Sequence, residues 1–420
     1  MAENKIIFQL KDGVVIRDLS DIFAGLLVGP RRLYDVDERL KHIDDQDLNA
    51  EDREEIFEKQ IYPVLFKIEQ DLYRTYIVNL DDEDAGRIYR ALDDNPKVDY
   101  VQYSVNYSIT FDPITSATTS NKGLSRIECP SAWYASKGDD ILVAIIDSGV
   151  YYDHKYIRQR MWDDGHGNHG YDFIPGSASP NNPIDRFGHG THCAGIVAAE
   201  NDSDIEVAVA PKSKIMALKV FDKPESGVKA ISDTEPCAQA IKFAVDNGAK
   251  IISNSWSIAQ PSCKDLALQK AIDNAYAQGC IVLFAAGNEQ VDINGRFPSD
   301  YPKVISVAAT RDNDDRLPAS NFGKDVTIAA PGEEITSLLV NTVDEVTDES
   351  GTSVACPLVA GVIALMLKIN PGLTFCQIII ILSETGISIN PDEPLGKNKR
   401  INALGCVTRA LQMRNAAPCP

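Results

Sequence analysis

Several features that define other protein classes are missing from this chain of 420 residues. It has no unbroken run of about 18 apolar residues, so no transmembrane helix is expected. Basic residues are in deficit, with 41 Lys and Arg against 61 Asp and Glu, and the net charge of −20 makes nucleic acid and anionic membranes poor partners. No internal repeat is visible. The nine cysteines do not form the dense framework of a small disulfide-rich domain, which fits reduced thiols in a cytoplasm.

The N-terminus also lacks the pattern of a signal peptide, because Met1 to Lys5 is followed by only a short apolar run and then by charges. We therefore expect a cytoplasmic protein, with secretion by an unusual route as the alternative. The hydrophobic content of 44% supports a sizeable core. The length suits one large domain and one small domain.

The segment from Gly351 to Pro357 places the hydroxyl of Ser353 between a glycine and the start of a helix. The residues that follow, 358–367, have no polar side, which predicts a buried helix. The N-terminal end of a helix has free N–H groups and a partial positive charge, so it stabilises an anion that forms there. Ser353 is therefore a candidate nucleophile, and a simple helix cap is the alternative.

Two other segments place suitable side chains at the ends of buried elements. Ile141 to Ile146 is an unbroken apolar run typical of a buried parallel strand, and Asp147 follows it. His189 lies in a glycine-flanked segment that continues into a helix of small residues. An imidazole that titrates near neutrality can take the proton of a serine, and a buried carboxylate can fix the imidazole tautomer. Taken alone, Asp147 could cap a turn and His189 could be a packed core histidine.

Asp147, His189 and Ser353 follow one another in one of the three known chain orders of serine-peptidase triads. On these segments, and on Ala285 to Asn288 after another buried strand, the sequence resembles the subtilisin-like serine peptidases, the subtilases. The resemblance implies that Asp147 orients the base, that His189 is the general base, that Ser353 is the nucleophile and that Asn288 donates to the oxyanion. It also implies hydrolysis of peptide or protein substrates with no required cofactor.

The resemblance further implies a substrate cleft. Its expected lining is Ser255, Trp256, Ser257, Ala285, Ala286, Gly287 and Arg296. The family usually has a glycine at the position of Ser257. We expect the serine here to narrow the cleft or to alter how the peptide backbone lies in it. Arg296, carried over by position to the floor of the primary pocket, would favour Asp or Glu before the scissile bond through a charge-assisted pair. The alternative is a broad apolar preference set by the other residues of the cleft.

Two weaker signals concern metals and thiols. The acidic residues Glu200, Asp202, Asp204 and Glu206 occupy a segment with the length of the calcium loop in that family, and calcium prefers oxygen ligands. A further carboxylate of that pattern is missing because Tyr156 stands in its place, and a solvated acidic loop is the alternative. Cys193 lies close to His189 in sequence and is a candidate redox- or metal-sensitive thiol, with an inert buried thiol as the alternative.

Residues 1–110 are predicted to form a separate, small α+β domain. They contain 14 Lys and Arg against 24 Asp and Glu, a net charge of −10 and thus half of the total of the chain. Its predicted strands are Lys5–Leu10, Thr75–Leu80 and Val98–Val105, and its predicted helices are Asp52–Glu69 and Asp81–Leu92. This part resembles the inhibitory propeptide of subtilases, which implies a zymogen inhibited by its own propeptide. An unrelated acidic accessory domain is the alternative.

The remaining chain is predicted as a linker with a processing site at 111–125, a peptidase domain at 126–413 and a short tail at 414–420. In the peptidase domain strands alternate with helices such as Ala238–Asn247 and Leu266–Gln278, which predicts an α/β fold. We expect a doubly wound, mostly parallel sheet with helices on both faces. The competing functions are a protease that matures one peptide or protein partner and a catalytically silent scaffold on the same fold.

Overall fold

The computed structural model describes residues 5–11, 14, 19, 22, 31–32, 74–80, 82–110, 119–223, 229–258, 265–392 and 394–415. The strands, in chain order, are β1 (Lys5–Leu10), β2 (Arg31–Arg32), β3 (Thr75–Asn79), β4 (Val98–Tyr103), β5 (Asn106–Thr110), β6 (Leu142–Asp147), β7 (Gly170–Asp172), β8 (Lys214–Lys219), β9 (Lys229–Asp233), β10 (Ile251–Asn254), β11 (Ser257–Ile258), β12 (Ile281–Ala285), β13 (Ile305–Thr310), β14 (Ile328–Pro331), β15 (Ile335–Leu338), β16 (Val346–Glu349), β17 (Ile387–Ser388) and β18 (Lys399–Arg400). The α-helices are α1 (Asp82–Asp93), α2 (Lys122–Arg126), α3 (Cys129–Ala132), α4 (His189–Ala198), α5 (Thr234–Asp246), α6 (Leu266–Ala277), α7 (Thr352–Ile369), α8 (Phe375–Thr385) and α9 (Ala403–Asn415).

The contacts divide the chain into two units. The first comprises Met1–Val105, Asp233–Gln239 and Asp265–Asn274, and the rest of the chain forms the second. The domain boundaries predicted at residues 110, 125 and 413 stay predictions. The helix predicted over Asp52–Glu69 lies outside the described residues.

The first unit contains a four-stranded sheet with the order β2-β3-β1-β4, in which β1 pairs antiparallel with both β3 and β4. Ile6, Phe8 and Leu10 of β1 belong to one hydrophobic cluster with Ile88 and Leu92 of α1. Because successive side chains of a strand point to opposite faces of a sheet, these three residues of β1 bury one face of the sheet against α1. The three strands and the helix α1 predicted for this part of the sequence are confirmed, each to within one or two residues.

The second unit contains a nine-stranded sheet with the order β17-β18-β14-β13-β12-β10-β6-β8-β7. From β14 to β7 the neighbours pair in parallel, whereas β17 pairs antiparallel with β18. The chain crosses from β8 on one side of β6 to β10 on the other side, so the strand order reverses at β6. The predicted α/β fold with a mostly parallel sheet is confirmed, and ligands of such sheets bind at this type of reversal point.

Helix α7 is the core helix of the second unit. It is 18 residues long with a mean hydropathy of 2.0, and 94% of it is buried inside the protein. By length and composition it is the one helix among the described residues that could cross a membrane, but its burial is that of a core helix, as the apolar residues 358–367 predicted. Its burial is explained by packing against α4, α9 and the strands of the central sheet.

A small three-stranded sheet with the order β11-β5-β9 lies beside the carboxyl end of β10. β5 pairs antiparallel with β11, with Ser108 opposite Ser257 and Tyr107 opposite Ile258. Since β11 follows β10 after only two residues, β5 lies close to the strand ends where the predicted catalytic residues are located.

Candidate active site

Asp147 is the last residue of β6 and is fully buried. Its Oδ1 accepts a hydrogen bond of 2.7 Å from the backbone N–H of Ser148. The carboxylate thus lies at the carboxyl end of the central strand, as the apolar run before it predicted.

His189 is the first residue of α4 and is 1% exposed. Its Nδ1–H donates to the two carboxylate oxygens of Asp147 at 2.8 and 3.0 Å. Burial on its own lowers the pKa of His189, and the Asp147 carboxylate beside it raises that pKa. Together these effects hold the pKa of His189 well above its usual value, because the buried carboxylate stabilises the imidazolium.

Gly190 permits the close approach of α4 to β6. A Cβ atom at Gly190 would lie 2.2 Å from the carbonyl oxygen of Gly149 and 3.1 Å from the Cβ of Asp147. The backbone N–H of Gly190 donates instead to the hydroxyl of Ser148 at 2.9 Å. The glycine after His189 therefore has a packing role that brings the imidazole within reach of the carboxylate.

Asp185 is a further buried residue that fixes α4, and the sequence reasoning missed it. Its Oδ1 accepts from the N–H groups of Phe187 and Gly188 at 2.9 and 3.0 Å, and its Oδ2 accepts from the N–H and hydroxyl of Thr191 at 2.9 and 2.6 Å. Burial raises the pKa of Asp185, against the lowering effect of these hydrogen bonds. Asp185 lies three residues before Gly188, the N-cap of α4, so a search for a capping side chain at the N-cap does not find it.

Lys219 is a second missed residue, and it holds the turn that follows Asp147. It lies beside Asp147 in the parallel pairing of β6 with β8 and is 4% exposed. Its ammonium donates to the carbonyl oxygens of Ser148 and Phe221, both at 3.1 Å, and to Asp222 Oδ1 at 3.0 Å. In the sequence, Lys219 is a single charged residue at the end of an apolar strand, and nothing near it indicates these partners.

Ser353 is the second residue of α7 and is 7% exposed. Gly351 precedes the helix with φ +147°, and a Cβ there would lie 3.4 Å from the Ser353 Oγ. The carbonyl oxygen of Ser353 accepts from the hydroxyl of Ser255 at 2.8 Å and from the thiol of Cys193 at 3.5 Å. These contacts tie the start of α7 to α4 and to the residue that directly follows β10.

The side chain of Asn288 has a defined orientation. Its Oδ1 accepts from the backbone N–H and the hydroxyl of Thr352 at 3.0 and 3.1 Å. The amide oxygen is therefore turned toward α7, and the Nδ2 group, which can only donate, is turned away from these two partners.

A cavity of about 150 Å³ brings these residues together. Its lining consists of Ser108, Ile109, Thr110, His189, Ser255, Trp256, Ser257, Ala285, Gly287, Asn288, Glu289, Thr352 and Ser353. Of the residues that the structure describes, Ala286 and Arg296, both predicted for the cleft, are not in this lining. Ala286 uses its backbone in the sheet, where its N–H donates to Val307 and its carbonyl oxygen accepts from Asn321. Glu289 and Thr352 belong to the site and were not predicted.

The structure does not bring the acidic residues at 200–206 together. In the described part of the chain, the carboxylates of Glu200, Asp202, Asp204 and Glu206 form no group of three with oxygens within 4.8 Å of one another. The Glu200 carboxylate pairs with Arg160 at 2.6 Å, and Asp202 Oδ1 accepts from the N–H groups of Asp204 and Ile205. These carboxylates by themselves therefore form no cluster for a cation, and the calcium site at this loop stays a prediction.

Cys193 lies next to the Asp147–His189 pair. Its Sγ is 3.9 Å from His189 Nδ1, and with Asp147 and His189 it forms a group of three metal-ligating side chains whose ligand atoms lie within 4.8 Å of one another. Burial raises the pKa of the Cys193 thiol. A buried thiol with a raised pKa is largely protonated at neutral pH and reacts slowly.

A buried carboxylate–imidazole pair, a serine at the N-terminus of a core helix and an amide donor in the same cavity define a serine hydrolase with an Asp-His-Ser triad. The profile of the Subtilase family, Peptidase_S8, matches residues 138–393, more than half of the chain. The sequence is 33% identical to thermitase from Thermoactinomyces vulgaris over 286 residues, which cover 68% of this chain and 95% of thermitase.

Two further relatives give similar alignments. Identity is 33% over 325 residues with the thermophilic serine proteinase of Bacillus sp. (strain AK1), covering 76% of this chain and 75% of that one. It is 31% over 320 residues with alkaline elastase YaB of Bacillus sp. (strain YaB), covering 76% of each chain. The chain therefore belongs to the subtilase family, and it is a subtilisin-like serine endopeptidase.

Proposed function

We propose that Asp147, His189 and Ser353 are the catalytic triad and that Asn288 and the backbone N–H of Ser353 stabilise the oxyanion. The observation that carries this proposal is the buried Asp147–His189 pair, at 2.8 Å, in the same cavity as Ser353 and Asn288. The chemistry needs side chains and water alone, so no cofactor is required.

In the proposed reaction the Ser353 hydroxyl attacks the substrate carbonyl while His189 Nε2 takes its proton. Asp147 stabilises the resulting imidazolium through the two hydrogen bonds to Nδ1. The oxyanion forms at the N-terminus of α7, where the helix dipole and the Asn288 amide favour negative charge. His189 then returns the proton to the leaving amine, and water hydrolyses the acyl-enzyme by the reverse sequence.

The proposal includes synthesis as a zymogen, with the chain up to Thr110 as an inhibitor of its own cleft. Support comes from β5, which pairs with β11 and supplies Ser108, Ile109 and Thr110 to the lining of the cavity. At about 150 Å³ the remaining space is smaller than the 300–1,000 Å³ typical of ligand pockets. A small remaining volume is expected when a strand already occupies part of the cleft.

Peptides and proteins are the proposed substrates, and we favour an apolar over an acidic preference. Glu289 belongs to the lining of the cavity, whereas Arg296 lies outside the lining formed by the described residues. A carboxylate in the cleft disfavours Asp and Glu by like charge. The comparison is cleavage of peptides with Asp, Glu, Leu or Phe before the scissile bond, where a preference for Asp that Arg296→Ala abolishes would restore the acidic alternative.

The test of the triad compares peptide hydrolysis by the wild type, Ser353→Ala and Asn288→Ala. Ser353→Ala should be inactive with an unchanged melting temperature, because it removes one hydroxyl. Asn288→Ala should lose about 100- to 1,000-fold in kcat, a magnitude measured on another enzyme of this family rather than derived from this chain. Wild-type rates in Ser353→Ala would refute the proposal.

The location proposed for the enzyme is intracellular. The seven described cysteines are all free, and six of them are buried. Free thiols persist in a reducing compartment. Fractionation of the native cells is the measurement, and activity confined to the medium would contradict this location.

A further inference from the structure

The loop that carries Asn288 has a backbone that needs an external support. Asn288, Glu289 and Gln290 are exposed, so the loop buries little surface of its own. Its backbone is left-handed at two points, with φ +99° at Gly287 and +59° at Gln290. The second value is unfavourable for a residue that has a side chain. Such a loop keeps one conformation when the surrounding structure holds it there.

The side chain of Asn321 provides this support. It is 1% exposed, and its Oδ1 accepts from the backbone N–H groups of Glu289 and Val291, both at 3.0 Å. Its Nδ2 donates to the carbonyl oxygen of Ala286 at 2.8 Å and to Glu289 Oε2 at 2.7 Å. Its backbone N–H donates to the carbonyl oxygen of Gly287 at 2.9 Å. These partners lie on both sides of the residue proposed to donate to the oxyanion.

The hydrogen bonds allow the amide of Asn321 one orientation. An amide oxygen has two lone pairs and an amide nitrogen has two hydrogens, and all four are used here. The reverse orientation would place the nitrogen against two N–H donors and the oxygen against a carbonyl and a carboxylate. A buried network in which every group is paired is rigid, and the loss of one partner leaves the others unpaired at a high cost.

The other side of the loop meets the start of α7. The N–H of Gly287 donates to the hydroxyl of Thr352 at 3.1 Å, and Asn288 Oδ1 accepts from the N–H of Thr352 at 3.0 Å. A Cβ at Gly351 would lie 3.1 Å from Asn288 Nδ2 and 3.4 Å from Ser353 Oγ, so these two groups lie around one point. The loop is therefore fixed from both sides, with its amide donor near the nucleophile.

We infer that Asn321 is a positioning residue of the oxyanion hole and that it acts on the reaction through Asn288. By holding the loop, it keeps the Asn288 amide where the oxyanion forms, and donors that are already in place stabilise a transition state without a cost of reorganisation. The inference rests on the oxyanion role proposed for Asn288. It adds the residue on which the geometry of that donor depends.

The first experiment is a double-mutant cycle of peptide hydrolysis with the wild type, Asn321→Ala, Asn288→Ala and the double variant. Asn321→Ala alone should lower kcat about 10- to 100-fold with little change in KM, because the donor acts on the transition state and not on the bound substrate. In the Asn288→Ala background the same substitution should change kcat less than about threefold, since the group through which it acts is gone.

The outcomes of this cycle separate the inference from the function on which it rests. Equal losses in both backgrounds, or no loss from Asn321→Ala alone, overturn the inference while the oxyanion role of Asn288 stands. An Asn288→Ala variant with the kcat of the wild type removes that role and the inference with it.

Asn121→Ala is the matched control for the loss of a buried amide. Asn121 is also 1% exposed, its Oδ1 accepts from the N–H of Gly123 at 2.8 Å, and its Nδ2 donates to the carbonyl oxygen of Val207 at 3.2 Å. It does not line the cavity. Its kcat should stay within about twofold of the wild type, and a loss as large as that of Asn321→Ala would overturn the specific role of Asn321.

A second set of variants applies if Asn321→Ala does not fold. Asn321→Asp keeps the acceptor for the two N–H groups, but it loses both donors and places a carboxylate against Glu289, so kcat should fall. Adding Glu289→Gln replaces the repulsion with an amide donor and should raise kcat at least about tenfold, as expected for one hydrogen bond to a charged group. Glu289→Gln alone should stay within about threefold of the wild type, because Asn321 can donate to the new amide oxygen. No recovery in the double variant overturns the inference.

Binding of a peptide boronic acid supplies a readout that a merely structural role would not move. This inhibitor forms a tetrahedral anion on the serine, so its Ki should rise in Asn321→Ala by about the factor by which kcat falls. The Ki of a product peptide with the same residues should stay unchanged, because it forms no such anion. Equal weakening of both inhibitors would show that the whole cleft has moved, and it would overturn the role assigned to Asn321.

Discussion

At the scale of single residues, the proposed catalytic chemistry depends on how burial and charge act on the pKa of His189. The imidazole must be neutral to accept the serine proton, and the Asp147 carboxylate favours its protonated form. Because the pKa of His189 is held well above its usual value, the enzyme should be inactive at acidic pH and gain activity as the pH rises through the raised pKa.

The prediction that follows concerns the acidic limb of the pH profile. The apparent pKa for kcat/KM in the wild type should lie above about 6.5, the ordinary value for histidine. Asp147→Asn removes the charge and should shift this limb to lower pH while kcat falls about 10⁴-fold, as the same change does in another serine protease. An unshifted limb in Asp147→Asn would show that another group controls the profile.

Asp185 provides a second residue-scale prediction. Asp185→Asn removes one of the two acceptors that hold Phe187, Gly188 and Thr191, so the start of α4 should move. A displacement of about 1 Å at the base is enough to cost about 100-fold, so kcat should fall by one to two orders of magnitude with little change in KM. Asp163→Asn is the matched control, since Asp163 is exposed and caps a turn. Equal kcat values for both variants would exclude the positioning role.

The sequence pointed to the residues proposed as catalytic, but it did not point to the residues that support them. Asp147, His189 and Ser353 stand beside glycines and apolar runs, and such local signals survive in a linear sequence. Asp185 and Lys219 act through backbone groups that are brought to them by the fold. The placement of Arg296 in the cleft depended on the length of a loop, and loop length fixes no side-chain direction.

At the scale of the elements, the apolar strands were predicted closely because each is buried on both faces. Strand β6 was expected to end at Ile146 and ends at Asp147, and β10 was expected over Ile251–Ser255 and spans Ile251–Asn254. Helix α5 begins at Thr234, four residues before its predicted start at Ala238. Its first turn contains Glu235 and Pro236. The prediction relied on the helical spacing of apolar residues, and these two residues do not contribute to that spacing.

The register of β5 is the element-scale feature that the sequence could not provide. The segment Asn106–Thr110 alternates polar and apolar residues, as many edge strands do, and nothing in that alternation identifies its partner strand. The substrate-like position of the end of the propeptide-like domain was expected from resemblance alone, and the pairing of Ser108 with Ser257 came from the fold.

The contact between α4 and β6 gives an element-scale prediction. In Gly190→Ala the new Cβ would meet the Gly149 carbonyl oxygen at 2.2 Å, so α4 must move away from Asp147. We expect stability to fall by about 1–3 kcal/mol, as in other overpacked sites, and activity to fall at least 100-fold. The measurements are peptide hydrolysis and urea unfolding, the latter in a Ser353→Ala background that keeps the chain intact.

Gly86→Ala is the control for this substitution. Gly86 lies within α1, and a Cβ there meets no atom within 4 Å. It should raise stability by about 0.5–1 kcal/mol through helix propensity. If Gly190→Ala behaved like Gly86→Ala, the close approach of α4 to β6 would not be required for the site.

At the scale of the whole molecule, the parallel sheet, the core helix α7 and the strand β5 all contribute to one cavity or its surroundings. The reversal of strand order at β6 brings Asp147, the Ser255 segment and the start of α7 to one edge of the sheet, which local patterns predicted only as a fold class. The net charge of −20 makes nucleic acid and anionic membranes poor partners, and it could not identify a substrate. The proposed substrate preference therefore rests on the described cavity and not on composition.

The central claim is that Ser353 is the nucleophile activated by the Asp147–His189 pair, and labelling with a fluorophosphonate tests it most directly. Peptide mapping of the labelled, processed wild type should find the modification on Ser353 alone, with none in Ser353→Ala and strongly slowed labelling in His189→Ala. Labelling of Ser353→Ala at the wild-type rate, or a modified residue outside the cavity, would contradict the account.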